Sequence, residues 1–186
     1  MAYKFADDSI GSTQIGTYTT TAPGIAGLPS VTLEPQLGEI RKGWDTTLGG
    51  AEFIYLRIPT STAITSGLLY QWSGPTYTAA VLPVLATSKN TGHAVAAAVA
   101  SLTSDATNVN YGWFQIQGLA TVLKTAVTAN PDVVVYASGT AGRIKVLTSA
   151  GGQITGMRVA SAATVTSTTS TVTVFMSRPA MQGQIT

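Results

Sequence analysis

The sequence predicts an all-β protein: a small β-barrel or sandwich built from short antiparallel strands and preceded by an extended N-terminal arm. Three observations support this prediction. Residues 109–118, VNYGWFQIQG, form the densest apolar and aromatic run of the chain and have the alternation of a strand. Apolar runs recur at spacings of about 8–12 residues, as in barrels and sandwiches. Gly, Pro, Asn and Asp separate these runs, and no fixed-period repeat is visible.

The run at 109–118 is predicted to be the central core strand. Its large side chains divide between two faces, because successive residues of a strand point in opposite directions. One face holds two aromatic residues that can supply a large share of a small core. Gln115 and Gln117 share that face, which predicts that it is only partly buried. The predicted core residues are Tyr111, Trp113, Phe114 and Ile116.

Residues 1–34 are predicted to form the arm, and residues 35–186 the folded domain, with a division into sub-lobes 35–90 and 91–186 left open. The arm is rich in Gly, Pro and Thr and cannot bury enough apolar area to offset its ordering entropy by itself. It either packs on its own domain or lies along neighbouring subunits. The second arrangement is favoured, with residues 3–15 contacting a neighbour. The predicted anchors are Tyr3, Phe5, Ile10, Ile15 and Tyr18.

The first half of the domain is predicted to hold two strands and a hairpin. Residues 37–41 and 51–58 form the strands, around a turn-rich loop, and Pro59 ends the second because proline cannot donate to a ladder. Residues 67–72 and 77–85 form the hairpin, and Pro83 makes its later part an edge. The alanine-rich run 92–102 has high helix propensity. A strand is favoured there, because valine and alanine alternate and both flanking segments are strands.

The second half is predicted to contain further strands that turn at glycine and proline. Residues 119–126 continue the central strand, and Arg178-Pro179 stops the last strand. Between them lies a Thr/Ser-rich segment, 164–171, read as a strand–loop or a polar hairpin tip. The predicted strands of this half are 119–126, 133–137, 143–147, 153–160 and 171–176.

The composition indicates a surface that is either unusually rich in Thr, Ser, Gly and Ala or covered by partners, and coverage by partners is favoured. Only 10% of the 186 residues are charged, well below the usual quarter of a globular chain. Residues 1–60 carry four cationic and six acidic side chains, whereas residues 61–186 carry six and two. The cations are scattered, so no nucleic-acid partner is expected. No apolar run is long enough to suggest a membrane partner, and the N-terminus shows no secretory signal.

The sequence offers no catalytic, metal or cofactor site, and we expect no enzymatic activity. His93 is the only histidine and follows a turn glycine, so a surface imidazole is the better interpretation. No cysteine is present for thiol chemistry or zinc. No nucleophile elbow and no nucleotide-binding loop occur. Exposed aromatic residues such as Tyr70, Trp72 and Tyr77 could stack on a sugar, although a core or interface role is the preferred interpretation.

Two blocks resemble small structural proteins of tailed bacteriophages, known as capsid decoration, cement or head-fibre proteins. The first is LGEIRKGWDTTLGGAEFIYLRI at 37–58. The second lies within 94–162 and contains AVAAAVASL, YGWFQIQGLATV, VYASGTAGRI and QITGMRVASA in that order. The resemblance implies a non-enzymatic homo-oligomer, such as a homotrimer, on the outer surface of a virion. Its implied partner is the major capsid protein. The alternative is a head-fibre or tail appendage that binds a host-surface receptor or carbohydrate.

Overall fold

The structure, a computed structural model, describes residues 4–5, 15–20 and 35–184. This part of the chain holds twelve strands in one sheet and one four-residue helix. The all-β prediction is therefore confirmed. The elements are β1 (Lys4–Phe5), β2 (Tyr18–Thr19), β3 (Ile40–Asp45), β4 (Gly49–Ile58), β5 (Leu69–Ser73), β6 (Thr78–Val81), α1 (Leu85–Ser88), β7 (Ala94–Ala98), β8 (Asn110–Leu123), β9 (Val134–Ala137), β10 (Ile144–Lys145), β11 (Gln153–Val159) and β12 (Thr171–Met181).

Five strands close on one another to form a first ring, in the order β4, β6, β5, β7 and β8, with β8 paired back to β4. All of these pairings are antiparallel except that of β4 with β6, which joins Arg57 and Thr78 in parallel. The predicted hairpin is the β5–β6 pair. The arm contributes at the outside, where β1 pairs with β3 and β2 pairs with β8.

A second ring runs through β8, β12, β11, β9 and β10. It closes where Lys124, which directly follows β8, forms a parallel bridge with Ile144 of β10. The two rings therefore share β8. Residues 110–117 of β8 face β4 in the first ring, and residues 117–123 pair with β12 in the second.

The change of partner along β8 depends on a glycine. Gly118 has φ +94°, a left-handed conformation that L-residues rarely adopt. A Cβ at this position would collide with the carbonyl oxygen of Gly50. The register between β4 and β8 shifts at the same place, next to Glu52. Gly118 thus lets β8 pass close to the start of β4 and turn towards the second ring.

Each ring encloses its own hydrophobic core, and β7 separates the two. Ala96 and Ala98 belong to the first-ring core, whereas Val95 and Ala97 belong to the second-ring core. Both faces of β7 are therefore buried, which explains its small side chains. The strand predicted for this stretch is confirmed. The side chains that pack closely against it belong to the two cores of the same chain.

A third buried cluster covers the outer face of the first ring. Tyr55 and Trp113 pack there with their ring centroids 5.0 Å apart. The guanidinium of Arg41 lies 5.6 Å from the centroid of the Trp113 ring. Ile15 of the arm and Leu37 pack against this cluster. Both faces of β8 are consequently buried in its first half.

Four details of the prediction were wrong in whole or in part. The strands are not all short, since β8 spans 14 residues and β12 spans 11. The strand predicted at 37–41 lies at Ile40–Asp45, and the helix α1 was not predicted. The prediction that the glutamine-bearing face of β8 is only partly buried holds for Tyr111 and Gln117, which are half-buried, whereas Trp113 is buried and so is Gln115. Its amide nitrogen donates to the carbonyl oxygens of Gln117 and Leu119 at 3.1 and 2.8 Å, which satisfies it without water.

The fourth error concerns β12, which does not stop at Arg178-Pro179 but continues to Met181. A β-bulge accommodates the proline. Residues 177–179 of β12 lie opposite Gly156 of β11, between the pairs Met157–Met176 and Thr155–Ala180. Arg178 has φ +45°, and Pro179 sits where no ladder hydrogen bond is required of it.

Candidate binding surfaces

The outer face of the second ring carries a row of side chains across four neighbouring strands. The register places Leu119, Phe175, Arg158 and Val134 side by side. Phe175 is 39% exposed and Val134 is 42% exposed, which is unusual for large apolar residues in a chain with well-filled cores. We call these four residues the Phe175 face.

The Phe175 face borders a shallow groove of about 410 Å³. The guanidinium of Arg158 lies 5.6 Å from the ring centroid of Phe175, within the range of a cation–π contact. Gly156 deepens the groove because it has no side chain at the point where β12 bulges. Its φ is +72°. The groove is lined by Val134, Gln153, Gly156, Met157, Arg158, Phe175 and Ser177.

A second open surface lies on β3. Ile40, Lys42 and Trp44 alternate with buried or half-buried residues and are exposed, Trp44 to 55%. In the register with β4, Lys42 lies opposite Glu52 and Trp44 lies opposite Gly50. Directly opposed residues of an antiparallel pair point to the same side of the sheet. We call Ile40, Lys42, Trp44, Gly50 and Glu52 the Trp44 face.

A cleft of about 300 Å³ adjoins Trp44 through its chain neighbour Gly43 and its cross-strand partner Gly50. Glu52 lies in this cleft and is ion-paired with Arg178, whose two guanidinium nitrogens approach one carboxylate oxygen at 3.0 and 3.2 Å. The pair joins β4 of the first ring to the bulge of β12. The cleft is lined by Lys42, Gly43, Gly50, Ala51, Glu52 and Gln117.

Lys124 is a buried cation at the closure of the second ring. It is 2% exposed, and its ammonium donates to the carbonyl oxygens of Val127 and Thr166 at 2.8 and 2.9 Å. Burial lowers the pKa of Lys124, because removal from water disfavours the charged form. The side chain ties the end of β8 to the Thr/Ser-rich segment before β12, which is a structural function.

Two tyrosine hydroxyls of the first ring hydrogen-bond to the backbone of the loops that follow β7 and precede β5. Tyr18 donates to the carbonyl oxygen of Ala100 at 3.0 Å, and Tyr70 accepts from the backbone N–H of Thr65 at 3.0 Å. Burial raises the pKa of Tyr18, and the proximity of Tyr70 raises it further. Burial also raises the pKa of Tyr70. Both hydroxyls therefore stay neutral and act as hydrogen-bonding groups.

The predicted arm anchors are only partly described. Tyr3 and Ile10 lie outside the described residues, and the backbone of Phe5 pairs with Gly43. Ile15 packs on the third cluster, and Tyr18 packs on the first-ring core, with its ring centroid 6.3 Å from that of Phe114. Ile15 and Tyr18 thus contact their own domain, whereas contact of residues 3–15 with a neighbouring subunit stays a prediction.

The predicted core strand is central, but the exposed aromatic residues were missed. Trp113, Phe114 and Ile116 are buried, and Tyr111 is half-buried. Phe175 could have been recognised by its parity, since it alternates with the valines of TVTVFM and shares a face with threonines. The sequence evidence that Trp44 is exposed was weaker, because it consisted only of the position of Trp44 between Lys42 and a turn.

Within residues 4–5, 15–20 and 35–184, no group of three or more His, Cys, Asp or Glu side chains is placed to hold a metal ion. His93 is exposed. No helix in this part of the chain is both long enough and apolar enough to cross a membrane.

Comparison of the chain with protein-family models, curated proteins and solved structures finds no match. The two surfaces must therefore be interpreted from their own chemistry.

Proposed function

We propose that this protein decorates and stabilises the capsid of a tailed bacteriophage from the outer surface of the virion. It binds across neighbouring subunits of the major capsid protein and self-associates as a homotrimer. The resemblance of residues 37–58 and 94–162 to phage structural proteins supports the role. The Phe175 face supports it independently, as the surface with which the protein docks.

The chemistry of the Phe175 face suits a protein partner. Interface centres are enriched in aromatic residues and arginine, and Phe175 with Arg158 provides both on the exposed outer face of the second ring. The face rests on paired strands, so little conformational entropy is lost when it docks. Beyond residue 124 the chain carries four cations, at 143, 145, 158 and 178, against one acidic residue at 132. We therefore expect an acidic and apolar counterpart on the capsid.

Stabilisation by such a protein requires contact area rather than a reactive group. A protein that binds the assembled shell and not its separated subunits favours the shell by mass action. The two rings provide a rigid body for this purpose, with the Phe175 face on one ring.

The copy number of this chain in purified virions tests the proposal directly. We expect a ratio to the major capsid protein of about one, or about one third, because a decorating protein follows the symmetry of the lattice. Quantitative gel densitometry measures the ratio. A handful of copies would instead support the head-fibre or tail appendage, and absence from the particle would refute a structural role.

A pair of matched variants tests the docking surface. Phe175→Ser is expected to weaken binding to purified undecorated capsids by at least about tenfold, as for a central interface aromatic residue. Leu147→Ser is the control, since Leu147 is 63% exposed and lies outside the groove. Co-sedimentation measures both. Equal binding by the Phe175→Ser variant and the unaltered protein would contradict docking through this face.

A further inference from the structure

Trp44 differs from the other two tryptophans of the chain. Trp113 is buried and Trp72 is partly buried, whereas Trp44 is 55% exposed. An indole is costly to leave in water, and exposed aromatic residues on a rigid strand are typical of recognition sites. Trp44 lies near the end of β3, where that strand pairs with β1 on one side and β4 on the other, so the backbone beneath it is held by strands on both sides.

The surroundings of Trp44 leave space for a flat ligand. Its cross-strand partner is Gly50, and a Cβ at Gly50 or at the adjacent Gly49 would meet no atom within 4 Å. On the other side its partner is Lys4, whose side chain is exposed. A planar group can therefore approach the indole from the side of β4 without displacing a side chain.

Polar groups of both signs lie next to this space. The cleft beside Trp44 holds the ammonium group of Lys42, the carboxylate of Glu52 and the amide of Gln117. Together they offer donors and acceptors to a polyhydroxylated ligand. Arg178 holds the carboxylate of Glu52 in place and offsets its charge. The remaining charged side chain that lines the cleft is Lys42, whose ammonium group can donate hydrogen bonds to the hydroxyls of a neutral ligand.

We propose that the Trp44 face binds a neutral, β-1,4-linked oligosaccharide of gluco configuration. One pyranose ring stacks on the indole of Trp44, and hydroxyls of the adjoining residue hydrogen-bond to Lys42, Glu52 and Gln117. All ring substituents of a gluco-configured pyranose are equatorial, so its faces present only C–H groups to the electron-rich indole face. The β-1,4 linkage keeps successive rings in a flat ribbon. This inference does not rest on the proposed capsid role.

The same geometry predicts binding without cleavage. A glycosidase needs two carboxyl groups on either side of the scissile bond, about 5–10 Å apart. Among the residues that line the cleft, Glu52 has the only carboxylate, and it is engaged by Arg178. We therefore expect the oligosaccharide to be recovered intact.

The test is a titration of the full chain with cellotetraose, followed by tryptophan fluorescence and by protein-detected NMR. A saturable change is expected, with a Kd of about 1 mM or tighter. Trp44→Ala should weaken binding by at least about tenfold, and Gln117→Ala by about threefold. Phe175→Ala is the matched control, because it removes an exposed aromatic residue from the other surface and should leave Kd unchanged.

Three results would overturn the proposal. The first is no change in the unaltered protein up to about 20 mM cellotetraose, which lies far above the expected Kd. The second is undiminished binding by a Trp44→Ala variant whose thermal midpoint matches that of the unaltered protein. The third is equal binding of the α-1,4-linked maltotetraose, which lacks the flat ribbon. If Trp44→Ala instead weakens capsid binding and cellotetraose has no effect, the face is a protein contact.

Discussion

The two rings share β8 yet have cores of different chemistry. The first-ring core contains the aromatic rings of Tyr70 and Phe114, packed edge to face at 5.4 Å, with Tyr18, Trp72 and Tyr77 at its margin. The second-ring core contains no aromatic residue among its buried members and is built from valine, alanine, leucine, isoleucine and methionine. The polar groups that bond to the backbone differ too, with tyrosine hydroxyls in the first ring and the ammonium of Lys124 in the second.

From this difference we expect the first-ring core to be stiffer and the second-ring core to be more adaptable. Aromatic rings have few rotatable bonds and definite packing geometries, so the first ring tolerates little change of shape. Methionine is unbranched and flexible, and Met157, Met176 and Met181 all lie in the second-ring core. Three predictions test the contrast, in order of decreasing effect.

Removal of the aromatic centre of the first ring should lower the free energy of unfolding the most. Phe114→Ala is expected to lower the free energy of unfolding by about 3–5 kcal/mol, because Phe114 is fully buried and contacts Tyr70. Phe175→Ala, which removes the same side chain from an exposed site, should cost about 0.5 kcal/mol or less. Urea denaturation measures both. Similar losses for the two variants would mean that the first-ring core does not pack as described.

Removal of the buried cation of the second ring should lower the free energy of unfolding by an intermediate amount. Lys124→Met keeps the apolar stem but leaves the carbonyl oxygens of Val127 and Thr166 without their donor. The expected cost is about 1–3 kcal/mol at about pH 7. A variant more stable than the unaltered protein at neutral pH would show that burial of the charge outweighs its hydrogen bonds.

The pH dependence of this cost has a definite sign. Burial lowers the pKa of Lys124 below its ordinary value of 10.5, so between the two values the unfolded chain binds more protons than the folded one. The unfolding free energy contributed by Lys124 therefore rises with pH through this window and is lowest below it. The stability difference from Lys124→Met should be larger at about pH 10 than at about pH 7. An unchanged difference would contradict the lowered pKa.

The smallest effect is the difference expected between variants at Ala96 and Ala97, two adjacent alanines of β7 that face different cores. Ala96→Val adds volume to the aromatic first-ring core and should cost about 1–3 kcal/mol. Ala97→Val adds the same volume to the second-ring core and should cost about 1 kcal/mol less, because methionine side chains there can change rotamer. Thermal unfolding of the two variants gives the comparison. A larger cost at Ala97 would reverse the assignment of rigid and adaptable cores.

Local sequence patterns predicted the strands correctly where the alternation of residue types matches the alternation of buried and exposed side chains. The interpretation of the alanine-rich run at 92–102 as a strand succeeded because alternation and context outweighed helix propensity. The alternation along β8 was also correct. The burial of both faces of β8 could not be predicted. Gln115 donates hydrogen bonds to backbone carbonyl oxygens beyond Ile116, and the course of the backbone there requires the left-handed conformation of Gly118.

The bulge and the open surfaces depend on residues distant in sequence. β12 continues past Pro179 only because Gly156, on another strand, leaves room opposite the extra residues. Trp44 is exposed beside a cross-strand glycine, Gly50. Phe175 is exposed on a face that it shares with Arg158 of the neighbouring strand and Val134 of the strand beyond. Alternation and the spacing of apolar runs correctly indicated an all-β chain, whereas the registers that create both candidate surfaces come only from the closed fold.

The shared strand also sets an order in which the protein can be made. Four strands of the first ring lie between residues 49 and 98, but the ring closes only with residues 110–117 of β8. At about 5–20 residues per second, a ribosome needs on the order of several seconds to add this closing segment after β4 has emerged. The second ring must wait for β12, which is translated last of the described strands. The nascent chain therefore carries an unclosed aromatic surface until β8 arrives, and β8 then serves as the finished edge on which the later strands assemble.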